Sequence, residues 1–229
     1  MKFTASKRKN RNRPEEISDR AGILENLRKA VSGKEKAKSP DRDEPFFTPL
    51  GDEMLADSFS TMLANVNGRV FFTRDGKELA QALSAIISAN GWQEIVCPED
   101  PIRELLLALG IRSDLGSSLS ITTDAVISGC EYLIASTGSV LVSSGQAGSR
   151  RMFIYPPVHV VVSQTSQLVE TPEEAMQRTI DRYGDKLPSL LSFITGPSRT
   201  ADIEKTLVMG AHGPEKLFVF IANHDFLPK

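Results

Sequence analysis

Four short segments gather the side chains that can bind or move charge. In Phe193-Ile194-Thr195-Gly196-Pro197-Ser198-Arg199-Thr200-Ala201-Asp202-Ile203-Glu204 an apolar stretch ends in Gly-Pro, and hydroxyls suited to capping a helix follow at once. Read as a strand leading into a short helix over 200–206, the corner aims free N–H groups at the strand's end. Helix N-termini attract anions, and Arg199 adds a planar, two-pronged donor for carboxylate or phosphate. The same residues also describe an ordinary corner with a surface arginine, and spacing alone does not separate the two. The second segment, Ser143-Ser144-Gly145-Gln146-Ala147-Gly148-Ser149-Arg150-Arg151, offers close backbone approach at its glycines and positive potential at its arginines. It lacks the Gly-Lys-Ser/Thr of a phosphate-binding P-loop and the spacing of a dinucleotide fingerprint.

The third group is the histidines. His159 lies inside an apolar run and reads as a core residue. His212, in Gly210-Ala211-His212-Gly213-Pro214, reads as exposed and available as a proton donor or anion ligand. The fourth is Gly129-Cys130-Glu131 followed by Ser136-Thr137-Gly138-Ser139, a hydroxyl-rich turn that could orient a small polar ligand, or simply turn the chain. Neither a His-Glu-x-x-His pair nor a Gly-x-Ser-x-Gly elbow is present, so the motifs of zinc proteases and triad hydrolases are missing.

These groups need a scaffold, and the periodicity supplies an α/β one. From Asp52 onward the pattern predicts helix 52–66, strand 69–73, helix 76–89, strand 93–97 and helix 100–109. Short strands follow at 130–135 and 139–143, joined tightly through Ser136-Thr137-Gly138. Strand 158–163, helix 172–182, strand 190–195, helix 200–206 and strand 217–222 complete the chain. Thr171-Pro172-Glu173-Glu174 has the form of a capping box. Continuous apolar strands alternating with helices imply parallel strands covered on both faces, and the sum is a mixed sheet between helix layers.

Before this domain, residues 1–13 form a basic tail with Lys2, Lys7, Arg8, Lys9, Arg11 and Arg13 and no acid. Ile17, Leu24, Leu27 and Val31 mark a helix within 14–33, and residues 34–50 carry linker chemistry. This 14–50 arm is suited to packing on another subunit, including a second copy. The tail has no interleaved aromatics, so a nucleic-acid surface is not expected from it. With 40% hydrophobic and 24% charged residues, 229 residues make an ordinary globular chain. No apolar run reaches membrane-spanning length and no secretory signal is visible, which points to the cytoplasm. The two cysteines, Cys97 and Cys130, read as buried thiols; an iron–sulfur cluster needs about four thiolates, so none is expected in this chain.

The stretch from Gly129 to Asn223 resembles the lactate utilization protein C family, which carries the LUD domain. The residues that carry the resemblance are Thr137-Gly138-Ser139, Arg150 ahead of Pro156-Pro157-Val158-His159, the corner Gly196 through Glu204, and Gly210-Ala211-His212-Gly213-Pro214. Two departures stand out: Ser136 replaces the family's usual glutamate, and Glu131 replaces its aspartate. The resemblance implies a three-layer α/β/α sandwich with a mixed sheet, like sugar-phosphate isomerases and CoA-transferases. It also implies a subunit, without a cluster of its own, of a complex oxidising L-lactate to pyruvate, with clusters held by two iron–sulfur partners. The ligand-binding residues expected on this reading are Thr137, Gly138, Ser139, Arg150, Gly196, Ser198, Arg199, Thr200 and His212, converging on a small anion. The alternative is a stand-alone isomerase- or ligase-like enzyme acting on a phosphorylated or carboxylated small molecule.

Overall fold

Runs rich in β-branched and aromatic residues favour strands, and five such runs build the main sheet. The computed structural model describes residues 51–111, 115–116, 118–147, 150–203, 206–209 and 213–223. The tail at 1–13 and the arm at 14–50 lie outside them, as does His212.

The elements run α1 (Asp52–Asn65), β1 (Arg69–Thr73), α2 (Gly76–Asn90), β2 (Ile95–Val96), α3 (Asp100–Ala108), β3 (Ala125–Ser128), β4 (Tyr132–Ile134) and β5 (Ser139–Ser143). A short α4 (Ser144–Ala147) and a 3-10 turn (Arg150–Phe153) lead to β6 (Val158–Gln164). Then come β7 (Leu168–Val169), α5 (Pro172–Tyr183), β8 (Leu191–Ile194), β9 (Arg199–Ile203), β10 (Thr206–Met209) and β11 (Lys216–Ala222).

Five strands pair in the order β1-β11-β6-β3-β2, all parallel. All seven residues of β6, at the centre, are buried. Leu79, Leu83 and Ile87 of α2 and Ile102 and Leu106 of α3 cover one face, against Ile127, Val160, Val162, Phe218 and Phe220. On the other face, Val126, Val161 and Val219 share a core with Leu55, Phe59 and Leu63 of α1 and with Leu133, Val140 and Val142 of a second sheet. That second sheet has the order β7-β4-β5-β8 and mixes parallel and antiparallel pairs. Ala175 of α5 packs on its far side with Ile134, Leu141 and Val169.

The fold is α/β with mixed strand directions and flanking helices, as the sequence implies. The strands divide among a five-stranded sheet, a four-stranded sheet and a two-stranded hairpin rather than joining one, so a second sheet stands between the parallel sheet and α5. The antiparallel β4–β5 pair puts Ile134 opposite Ser139, as the tight connection at 136–138 requires.

One element is corrected. The segment expected as helix 200–206 is a β-hairpin, with Ile203 opposite Thr206 and Arg199 opposite Met209. Thr200, Ile203, Thr206 and Val208 are β-branched, a composition that suits extended backbone better than a helix. The helix N-terminus invoked for an anion at Gly196–Thr200 is therefore not there. The start of α5 is nearly as expected: Thr171 Oγ1 accepts the Glu174 N–H at 3.2 Å, while the Glu174 carboxylate reaches the N–H of Glu170, at 2.9 Å, one residue before the cap.

The turns at Gly138 and Gly196 come into close contact with the C-terminal end of α1. Gly138 has φ +62, and a Cβ there would collide with the backbone of Met62 and Leu63 in α1. Gly196 has φ +77, and a Cβ there would stand 2.5 Å from the Val66 carbonyl oxygen. Gly91 shares the left-handed conformation, φ +67, but nothing lies within 4 Å. Equilibrium denaturation will separate these cases. Gly91→Ala loses about 1 kcal/mol, the cost of the conformation alone, whereas Gly138→Ala loses about 3 kcal/mol because α1 must also move.

Candidate functional site

Open parallel sheets place ligands beyond the carboxyl ends of their strands, and here the loops after β2, β3 and β6 surround a cleft of about 830 Å3. Its lining comes from Glu99 after β2, Gly129 and Cys130 after β3, Gln164 at the end of β6 and Gln167 after it, Gly145 and Gln146 of α4, and Arg182 and Tyr183 at the end of α5. The volume falls in the range of small-molecule and cofactor sites.

Each wall has a local cause. Proline in its first turn starts α3, and Arg103 reaches back to the Cys97 carbonyl at 3.0 Å and to the Asp100 carboxylate. The Glu99 side chain does not cap its own helix. It turns across the cleft, where Oε1 accepts the Gly129 N–H at 2.7 Å and ties the β2 loop to the end of β3. Burial pushes the Glu99 carboxyl above the usual carboxylate range, with the Glu131 carboxylate adding to the effect.

Glu131 is only 1% exposed. Its Oε1 accepts Ser143 Oγ at 2.5 Å and Tyr183 OH at 2.7 Å, and its Oε2 accepts Arg182 at 3.1 Å. A buried carboxylate is tolerated when donors of this kind surround it. The same contacts hold the C-terminal turn of α5 against β5. Ser143 Oγ in turn accepts the Gly145 N–H at 3.1 Å, and the Ser143 N–H donates to Gln146 Oε1 at 3.2 Å. The Gln146 amide nitrogen is thereby turned toward Gly129. Gln167 has a different job: its Nε2 donates to the Cys130 carbonyl at 2.5 Å and its Oε1 accepts the Gln164 N–H at 2.9 Å.

Beneath Gly129, Ser128 Oγ lies 2.8 Å from His159 Nε2 and donates to the Gly129 carbonyl at 3.0 Å. A serine–histidine pair suggests a nucleophile and its base, but both residues are fully buried, so no substrate reaches Ser128. His159 Nδ1 has no hydrogen-bond partner among the described residues, and burial lowers the imidazole pKa to about 4. His159 is the core histidine that its strand position implies.

Of the residues expected from sequence, the described ones are not among those that line this cleft. Thr137 Oγ1 donates to Ser139 Oγ at 2.8 Å, and Ser139 Oγ lies 2.7 Å from Thr195 Oγ1. With Gly138 and Gly196 they close on the C-terminal end of α1. The Ser198 N–H donates to the Pro214 carbonyl at 2.8 Å, and the Glu215 N–H to the Pro157 carbonyl at 2.8 Å, at the amino ends of β6 and β11. Thr137, Gly138, Ser139, Gly196 and Ser198 thus gather around α1 and the amino edge of the sheet, opposite the cleft. Arg150 and Arg199 are both exposed, one opening the 3-10 turn and the other opening β9. Thr200 lies within β9.

Gly145 and Gln146 fall within the second candidate segment and Gly129 and Cys130 within the fourth, but Glu99, Gln167, Arg182 and Tyr183 carry no motif. A local signal for Glu99 is Pro98-Glu99-Asp100-Pro101, an acidic, proline-flanked turn directly after a strand.

Known proteins place this architecture. The LUD domain model matches residues 117–222. A lactate utilization protein C of Deinococcus radiodurans is 25% identical over 205 residues, covering 88% of this chain and 94% of that one. Another, of Exiguobacterium sp., is 31% identical over 173 residues, covering 75% of this chain and 68% of its own length. The chain belongs to the lactate utilization protein C family. A crystal structure of a DUF162 family protein from Deinococcus radiodurans matches with TM-score 0.58 and 22% identity, over 76% of this chain and all of that one, and so shares the fold. The LUD match contains Gly129, Glu131, Gln146 and Arg182 but not Glu99, so one wall of the cleft lies outside it.

The buried imidazole gives a pH signature to this family member. An unfolded chain protonates His159 below about 6.5, whereas the folded one resists down to about 4. Stability therefore falls as pH drops from 6.5 toward 4, by up to about 3 kcal/mol from this residue. Urea denaturation across that window will show a shallower loss in His159→Gln than in the wild type; equal slopes would remove His159 as the cause.

Proposed function

We propose that this protein serves lactate utilization as the subunit without a cluster in a complex that oxidises L-lactate to pyruvate, and that it holds a small carboxylate in the cleft at the carboxyl edge. It works in the cytoplasm, and the two partners are iron–sulfur proteins. Family membership supports the pathway, since the relatives it matches are named lactate utilization protein C.

One observation carries the site assignment: Arg182 lines the cleft with one guanidinium nitrogen on Glu131 and its guanidinium carbon over the Tyr183 ring, 5.6 Å from the centroid. Anchored in this way, a guanidinium keeps donors for a carboxylate without the entropy cost of a free side chain. The cysteines support the division of labour. Burial pushes Cys97 up to about 12 and Cys130 well above the ordinary thiol range, so neither is disposed to be the thiolate a metal needs.

A cleft of about 830 Å3 is larger than a three-carbon acid requires, and this favours the second reading, an enzyme acting on a larger carboxylated or phosphorylated molecule. Two experiments decide between them. Disruption of the gene should abolish growth on L-lactate, and the tagged chain, purified anaerobically from lactate-grown cells, should bring down two cysteine-rich proteins with iron. Unimpaired growth and a solitary, iron-free protein would turn the assignment to the second reading. In calorimetry, Arg182→Lys keeps the buried charge pair but loses the fork; pyruvate affinity should fall about tenfold, or about 1.4 kcal/mol. Unchanged affinity would take Arg182 out of the site.

A further inference from the structure

Glu99 has one oxygen engaged and one open. Oε1 holds the Gly129 N–H at 2.7 Å. Oε2 stands over Gly129 at the cleft wall, where an added methyl would meet Ile102 Cδ1 at 3.0 Å, Oε2 itself at 3.1 Å and Gln146 Nε2 at 3.6 Å, so a ligand seats outside this point, in the cleft that all three residues line. Gln146 cannot present its oxygen instead, because Oε1 takes the Ser143 N–H. A ligand seated over Gly129 therefore meets one amide donor and one carboxyl oxygen side by side.

The charges around Glu99 are already matched. On its own loop and helix, Asp100 pairs with Arg103. Across the cleft, Glu131 pairs with Arg182 and accepts from Tyr183. The Cys97 and Cys130 thiols lie near it and stay protonated. Tyr132 lines the same space, and His159 below is neutral. Among the described residues, then, Arg182, which lines the cleft, and Arg103, on the neighbouring helix α3, already have carboxylate partners, and Glu99 is the negative group left over. An incoming anion would repel an ionised Oε2 at close range, in a part of the protein where water screens poorly.

We infer that a carboxylate ligand enters this cleft together with one proton, which Oε2 of Glu99 carries and donates to the bound anion. This rests on the reading of the cleft as a carboxylate site. The Gly129 N–H fits both states, since Oε1 accepts it whether or not Oε2 is protonated. Burial and Glu131 have already raised the carboxyl's pKa, so the proton is taken up readily. The ligand's own charge raises that pKa further. Between the free and bound values, one proton is absorbed per ligand, and affinity falls toward tenfold per pH unit as pH rises. Glutamine at this position is the permanent counterpart of the protonated acid: its oxygen takes the Gly129 N–H and its nitrogen donates to the anion.

The test is calorimetry of the full chain with pyruvate, from pH 5.5 to 8, in paired buffers of different ionisation heats. The wild type should take up close to one proton per pyruvate in the upper part of this range. Glu99→Gln should bind pyruvate with no proton uptake and no pH dependence, at an affinity matching the wild type's low-pH limit. Binding without proton uptake by the wild type overturns the inference and leaves the carboxylate site standing, as does an unchanged pH dependence in Glu99→Gln. No binding of pyruvate at any pH overturns both. The wild-type measurement needs no variant, so a folding defect in Glu99→Gln leaves the outcome decisive.

Discussion

The cleft depends on one buried charge. Glu131 sits where β3 hands over to β4, and three donors from two other elements converge on it: Ser143 at the end of β5, and Arg182 and Tyr183 at the end of α5. A carboxylate that is 1% exposed costs several kcal/mol to desolvate, and removing any partner leaves part of that cost uncompensated. The arrangement is therefore more a specifier than a stabiliser. It fixes α5 against the second sheet in one register, and in doing so it sets Arg182 and Tyr183 along one wall of the cleft, facing Glu99 on the other. Gln146 follows from the same network, because Ser143 ties both its own hydroxyl and its backbone to this region.

The residues that make the family recognisable do a different task. Gly138 and Gly196 let the second sheet approach the end of α1 more closely than any side chain permits. Thr137, Ser139 and Thr195 satisfy one another's hydroxyls beside that contact. Ser198 and Pro214 fasten the start of the β9–β10 hairpin to the turn before β11. Their spacing in sequence is characteristic because the packing of two sheets admits few alternatives. The groups that face the cleft are instead scattered among loops whose sequences look unremarkable.

This division explains what could be read without a structure. The strands β6 and β11 were legible because each is a mostly apolar run, the pattern that burial on both faces demands, and β1 because of its β-branched and aromatic residues. The cap at Thr171 was legible because its chemistry is local. The hairpin at 199–209 was not. Gly-Pro followed by serine and threonine suits a helix start and an extended turn equally, and only the long-range fit against Pro214 decides between them. The short β3 was also missed, four residues whose pairing with β6 is invisible locally. Glu99, Gln146 and Arg182 could not be grouped from sequence, since the crossovers of the parallel sheet alone bring them around one opening.

The carboxyl edge is the proposed ligand site. A crystal structure of the full chain grown with pyruvate tests this most directly. Density for the carboxylate between Arg182 and Oε2 of Glu99, above Gly129, is the expected result. Pyruvate bound instead at the amino edge, among Thr137, Ser139 and Arg199, with the cleft holding only water, would contradict it.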